Sequence, residues 1–272
     1  MKQRILSGLM LVAFCVAIVL LNNVFPLALN IVVALISVAS VQELINALGV
    51  GKKWFLSIPS VITAGVVPFV SGNYQLLVYA LFTLVLFGAM VFYHRETTFR
   101  EVAVLYSMAI MIPSALRCLV SLRDLSPEHG IYYPMVAVFA AWVADAGAYF
   151  AGTFFGKHRM CPEISPKKTW EGAVGGCIIN VIFIVLSGVV LAAFYGWTPQ
   201  PGYLALFIVG LFGSPISILG DLSFSLIKRS CHIKDFGEVI PGHGGILDRF
   251  DSVIFTAPFV YLVALWMPLI VG

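Results

Sequence analysis

The chain has 272 residues, of which 60% are hydrophobic and only 11% charged, with a formal net charge of +3. A water-soluble domain of this size carries about 25% charged residues, so this composition, with a mean hydropathy of +0.99, excludes a soluble globule. At about 20 apolar residues per span, the length admits about eight to ten membrane spans and no large soluble domain beside them. The five cysteines (Cys15, Cys118, Cys161, Cys177 and Cys231) are scattered without a CxxC pair, which argues against a disulfide framework.

Reading apolar runs against breakers gives about nine spans, at 4–22, 25–46, 54–70, 74–93, 102–122, 131–155, 171–195, 203–228 and 247–269. The first follows Lys2 and Arg4 and lacks a small-x-small cleavage site, so it reads as a retained span rather than a signal peptide. Short uncharged turns alternate with charged connections. Basic residues gather at Lys2 and Arg4, Lys52 and Lys53, and Arg95 and Arg100, then at Lys157, Arg159, Lys167 and Lys168, and finally at Lys228, Arg229, Lys234 and Arg249. With nine spans, all of these fall on one side; only Arg117 and Arg123 lie near the other. The positive-inside rule then places the N-terminus in the cytoplasm and the C-terminus outside. The fold class expected is therefore an all-α polytopic membrane protein.

No internal repeat is visible, but the two halves differ. Residues 1–140 form spans that are almost purely apolar, with Arg117 the main exception, and read as a transmembrane scaffold. Residues 141–272 carry Asp145, Asp221, Asp248 and Asp251 within or beside apolar runs, plus Gly- and Lys-rich loops, and read as the catalytic region of one integrated membrane domain. A charge at a span centre costs roughly 2.5–3.5 kcal/mol on insertion scales, so these aspartates need a reason beyond packing. Hydration at the interface is the plain alternative for any one of them.

On a helix Asp221, Ser225 and Lys228 share one face, and Asp248 and Asp251 share another at the start of the last span. If those faces meet, three carboxylates converge and repel one another. A divalent cation relieves that repulsion, and oxygen donors without His or Cys suit Mg²⁺. Lys228 and Arg249 in an ion-pair network would be the alternative. The intervening stretch, rich in Gly and holding His243, ends in Gly244 and Gly245 and leads into a helix N-terminus. Bare N–H groups there, with Lys228, Arg229 and Lys234 nearby, would cradle a phosphate. A second loop, Ser165-Pro166-Lys167-Lys168-Thr169-Trp170-Glu171-Gly172, predicts a helix capped by Ser165 with Pro166 in its first position. Two lysines in that first turn would oppose the helix dipole and so suggest an anion nearby. His158, Cys161, Cys231, His232 and His243 fit no usual zinc spacing.

A phosphate-and-metal site at the cytoplasmic boundary suggests transfer between a soluble nucleotide and a lipid, a chemistry of positioning and charge neutralisation. No general base stands out, which suits a lipid phosphate monoester as nucleophile better than a lipid alcohol. The stretch Ser225-x2-Lys228-Arg229-x4-Lys234-Asp235-x5-Pro241-Gly242-His243-Gly244-Gly245-x2-Asp248-Arg249-x-Asp251 resembles the signature of the phosphatidate cytidylyltransferases, or CDP-diacylglycerol synthases. Gly220-Asp221-Leu222 and the Ser165–Gly172 loop are similar to bacterial members of the same family. These motifs cover about a quarter of the chain; the first 140 residues match in hydrophobicity alone.

The resemblance implies a multi-pass enzyme of the inner (cytoplasmic) membrane, homodimeric, with its active site on the cytoplasmic side. It would make CDP-diacylglycerol and pyrophosphate from CTP and phosphatidic acid, with the lipid bilayer and no nucleic acid as its surroundings. By the same resemblance Asp221, Asp248 and Asp251 would hold Mg²⁺, alone or with a second cation. Lys228, Arg229, Lys234 and His243 would line the phosphates, with Asp235 and Arg249 in the same catalytic set. Ser165, Lys167, Lys168 and Thr169 would form the other wall, Ser225, Gly242, Gly244 and Gly245 would touch substrate, and Asp145 would be a polar neighbour.

Three alternatives frame this reading. A CTP-dependent lipid kinase of polyprenol type, or another CDP-lipid synthase, would share much of the site. A CDP-alcohol phosphotransferase would carry a DG-x2-AR motif, which this chain lacks. A secondary transporter would place charges deep in two repeated halves, whereas here they cluster in one half and near one face.

Overall fold

The computed structural model describes residues 25–126, 129, 131–194, 200–237 and 244–271. Among these, α1 (Ala28–Ala47) and α2 (Trp54–Val66, extended by a 3-10 turn to Phe69) are followed by α3 (Asn73–Phe92), α4 (Phe99–Leu125) and α5 (Tyr132–Phe155). A short hairpin of β1 (Arg159–Cys161) and β2 (Ser165–Thr169) leads to α6 (Trp170–Phe194). Then come β3 (Gln200–Pro201), α7 (Tyr203–Ser230), α8 (Leu247–Trp266) and β4 (Ile270–Val271). The chain is a helical, polytopic membrane protein. Seven of the described helices, all but α2, are long and apolar enough to cross a bilayer by length and composition. The expected first span, 4–22, lies outside the described residues. The eight other expected spans each coincide with a helix to within a few residues; the third is the short α2, with Pro59 inside it and Pro68 in the 3-10 turn.

The chain divides into two compact units. The first holds the described residues up to Val120 together with Ser230–Phe250, and the second holds Ser121–Arg229 with Asp251–Gly272.

In the first unit, polar side chains pin the helix ends and cross-links. Asn30, buried on α1, donates to the Pro68 carbonyl at 2.8 Å. Lys53 makes an ion pair with Glu101 at 2.7 Å. Glu101 also accepts from the Thr98 backbone N–H while Thr98 Oγ1 accepts from the Glu101 N–H, a reciprocal capping box that starts α4. Along α3 and α4, Tyr79 and Ser114 share one hydrogen bond (2.6 Å) and Thr83 and Tyr106 another (2.9 Å). Each satisfies hydroxyls that would be costly to leave bare among apolar neighbours.

In the second unit α5 and α6 approach closely through small residues. A Cβ on Gly176 would lie 2.7 Å from the Ala144 carbonyl oxygen, and one on Gly172 would lie 2.7 Å from that of Ala148. Small residues four apart let helix backbones approach, which is the main source of packing attraction where lipid is as apolar as the side chains. Thr256 on α8 donates to the Ala137 carbonyl at 3.1 Å, and Asn180 on α6 to that of Gly210 at 3.0 Å, so α5 to α8 interlock. Gly176→Ala is therefore expected to destabilise the protein by about 1–3 kcal/mol through overpacking against backbone. Gly88→Ala, where a Cβ meets nothing within 4 Å, should be neutral or stabilise by roughly 1 kcal/mol from helix propensity. Thermal unfolding of the two variants in detergent checks the contrast; equal shifts would contradict it.

Candidate active site: a carboxylate cluster and a clamped loop

The loop before α6 does not start a helix at Ser165. Residues Ser165–Thr169 form β2, paired antiparallel with β1 in the register Arg159↔Thr169 and Cys161↔Ser165, with a bulge between. The residue before a proline is biased away from the helical region, and the Arg159 guanidinium donates to the Pro166 carbonyl at 2.6 Å, closing the hairpin. The N-cap is Thr169, whose Oγ1 accepts from the Gly172 N–H at 3.1 Å. Glu171, in the first turn of α6, accepts from the backbone N–H groups of Lys157 and His158 and lies 2.6 Å from His158 Nδ1. The two lysines therefore do not oppose a helix dipole, and that argument for an anion falls. They lie on a strand, where alternate side chains face opposite ways. Lys167 points outward, and Lys168 turns in to pair with Asp221 Oδ2 at 2.7 Å.

Asp221 lies on α7. At about 1.5 Å per residue, its 28 residues extend about 42 Å, longer than a hydrocarbon core of about 30 Å. The residues from Tyr203 to Leu219 are mostly apolar, so the surplus length falls at the polar end, Asp221 to Ser230. Ser225, one turn on, lies 3.4 Å from Asp221 Oδ1.

Asp145, on α5, is held from two directions. Its Oδ1 accepts from Ser217 on α7 at 3.0 Å and its Oδ2 from Ser252 on α8 at 2.9 Å. Asp251 is buried, and its Oδ1 accepts from the Ser252 N–H at 2.7 Å. Asp251 interacts electrostatically with Asp221, Asp145 and Lys228, and Asp145 with Asp221 and Lys168. The second unit thus gathers three carboxylates, two lysines and a shell of serine hydroxyls.

In the first unit the residues before and after the Gly-rich turn are fastened together. Asp248 Oδ2 accepts from the Phe236 N–H at 2.8 Å and from the Gly245 N–H at 3.0 Å. Gly244 takes a positive φ of 83° that favours glycine. The sequence leads one to expect bare N–H groups at this helix N-terminus. Instead those of Gly245, Ile246 and Leu247 are already taken, the last two by Glu43 at 2.9 and 2.8 Å. Glu43 lies within the second expected span, 25–46, in the half that reads as almost purely apolar scaffold. The available signal was a lone carboxylate in an apolar run. Lys234, Asp235 and Arg229 are exposed, whereas Arg249 is half-buried. Gly242 and His243 lie outside the described residues.

Of the expected ligands, Asp221 and Asp251 fall in the second unit with Asp145, and Asp248 falls in the first. Among the described residues no three His, Cys, Asp or Glu side chains are grouped closely enough to cage a metal ion. The donor chemistry nonetheless fits Mg²⁺, which is usually bound by one or two carboxylates, waters and substrate phosphates rather than by an all-protein cage. Asp221 and Asp251 supply hard oxygens in a cluster whose acidic groups outnumber its lysines.

Comparison with known proteins gives consistent results. The pattern of the cytidylyltransferase family matches residues 2–267. A phosphatidate cytidylyltransferase of Bacillus subtilis is 34% identical over 273 residues, covering 97% of each chain. One from Synechocystis is 44% identical over 142 residues, 52% of this chain and 46% of that protein. Another from Haemophilus influenzae is 38% identical over 162 residues, 57% and 54% respectively.

Proposed function

Because this chain belongs to the cytidylyltransferase family, we propose that it transfers the cytidylyl group of CTP to phosphatidic acid. The products are CDP-diacylglycerol and pyrophosphate. A phosphate oxygen of the lipid attacks the α-phosphorus of CTP, a new P–O–P bond forms, and the α–β bridging bond breaks to release pyrophosphate. The observation that carries this reading is the joint occurrence of the Ser225–Asp251 signature with the cluster of Asp145, Asp221, Asp251, Lys168 and Lys228.

The lipid nucleophile needs no general base. A phosphate monoester with a second pKa of about 6, by analogy with phosphorylated side chains, is already ionised near neutral pH. The protein's work is to position two anionic substrates and offset their charge. Lys168 and Lys228 supply positive charge beside Asp221 and Asp251, and the serine-held Asp145 keeps α5, α7 and α8 in register around them. Arg229, Lys234 and Arg249 add positive charge for the nucleotide phosphates, with His243 assigned there by the signature. Mg²⁺ would be held by Asp221 and Asp251, with Asp248 assigned by the signature, and would neutralise charge on the phosphates.

The basic-residue pattern supports nine spans with a cytoplasmic N-terminus and catalytic face, and hence access to CTP. In a bacterium that membrane is the inner one. The homodimer rests on the family resemblance.

The test is pyrophosphate release from CTP by the detergent-purified protein, with and without phosphatidic acid, in Mg²⁺ and then in EDTA. Release that needs both lipid and metal, with CDP-diacylglycerol formed, is expected. CDP formation on a polyprenol without pyrophosphate would replace this reading with a lipid kinase. Absence of turnover on either acceptor in folded protein would overturn the enzyme reading.

A further inference from the structure

We infer that Glu43 is a positioning residue for this reaction, clamping Ile246 and Leu247 at the start of α8 so that Asp248 is presented in a fixed geometry. The inference rests on the proposed cytidylyl transfer only for its kinetic consequence; the clamp itself stands on contacts within the first unit.

Glu43 is only 6% exposed. A buried carboxylate is costly unless its charge is met. What meets it here includes peptide N–H groups at a helix N-terminus. Oε1 accepts from Ile246 and Oε2 from Leu247, so both oxygens are used. These are charge-assisted bonds, aided by the positive end of the helix dipole. An N-cap is ordinarily supplied by the residue beside the helix. Here the cap comes from 203 and 204 residues away along the chain, so it ties the first turn of α8 to α1.

The fit around the carboxylate is narrow. A Cβ on Gly237 would lie 2.6 Å from Oε1, and one on Gly245 would lie 2.4 Å from Oε2. Both contacts are shorter than real Cβ atoms make, so glycine at both positions leaves the slot that Glu43 fills. Asp248 draws the same two strands of chain together through Phe236 and Gly245. Asp248, which the signature assigns to the reaction, thus bonds both Phe236 and Gly245, while Glu43 bonds Ile246 and Leu247 and lies close against Gly237. The hydrogen bonds Glu43 makes to Ile246 and Leu247 go to backbone N–H groups, and its charge interacts with that of Asp248, so its effect on chemistry passes through Asp248.

Glu43→Gln keeps the shape but turns an N–H₂ group toward one of the two backbone N–H donors. Hydrogen exchange of the peptide spanning 244–250, which holds the Ile246 and Leu247 amides, should accelerate about tenfold or more in the detergent-purified full chain, with other peptides unchanged. The Mg²⁺ and CTP concentrations for half-maximal velocity should each rise about tenfold, while that for phosphatidic acid stays put. Gly237→Ala, which displaces Oε1 without removing the carboxylate, should reproduce both effects and decides the matter if Glu43→Gln does not fold. Unchanged exchange in that peptide would overturn the clamp. Exchange raised throughout the protein, with velocity per folded molecule unaltered, would reduce Glu43 to a general stability role and overturn its link to Asp248. If the parent protein itself releases no lipid-dependent pyrophosphate, the proposed reaction fails, and the exchange experiment still judges the clamp.

Discussion

Asp248→Asn is expected to lower turnover by about 10²- to 10³-fold while leaving the unfolding temperature within a few degrees of the parent. Two loop bonds converge on one oxygen, Oδ2, which accepts from Phe236 and Gly245. An asparagine can put its amide oxygen in that place and keep both. What it loses is the negative charge and the second carboxylate oxygen, the features a metal ligand needs. Asp248→Ala should lose activity equally but also strip the two N–H groups of their acceptor, at about 1–3 kcal/mol for each one left unsatisfied. Steady-state pyrophosphate release and thermal unfolding of the two variants separate the roles. Parent-like turnover in Asp248→Asn would remove Asp248 from the reaction and leave it only as a loop clamp.

A double-mutant cycle on Lys168 and Asp221 should show a comparably large effect and decide what their 2.7 Å ion pair is for. If the pair were only structural, removing one partner would leave a half-buried charge uncompensated, and removing both would restore much of what was lost. If each group also meets substrate phosphate or metal, the double variant cannot recover. The expected outcome is a loss of about 10³-fold for Asp221→Asn and about 10²-fold for Lys168→Met, with the double variant no better than Asp221→Asn alone. Recovery in the double variant to near the parent rate would make the pair a purely structural ion pair.

Much of the architecture is legible from hydropathy because each span is a local property. A run such as 203–228 must satisfy its backbone internally wherever it lies in lipid, so α7 follows from its own residues, as do α1 and α3 to α6. The signature from Ser225 to Asp251 is equally local and reads as a candidate phosphate-handling motif. Local rules failed at the Ser165–Thr169 segment. Ser-Pro followed by lysines scores as a helix start, but pairing with Arg159–Cys161 and the Arg159–Pro166 bond made it a strand and moved the cap to Thr169. The hairpin in turn gave the two lysines different surroundings, one outward and one on Asp221.

The sequence by itself determined that this chain is a helical membrane protein and where its described spans lie, and it marked one short motif as the phosphate-handling candidate, because composition, hydropathy and motif spacing act over a few residues at a time. The partners of the buried carboxylates were decided only by tertiary structure. Asp145 meets Ser217 and Ser252 at separations of 72 and 107 residues, and Glu43 meets Ile246 and Leu247 across more than 200. No local pattern encodes such pairings. Their selection comes from helix packing, where glycine-lined contacts fix which faces meet and a buried charge must then find its donors among the groups brought beside it.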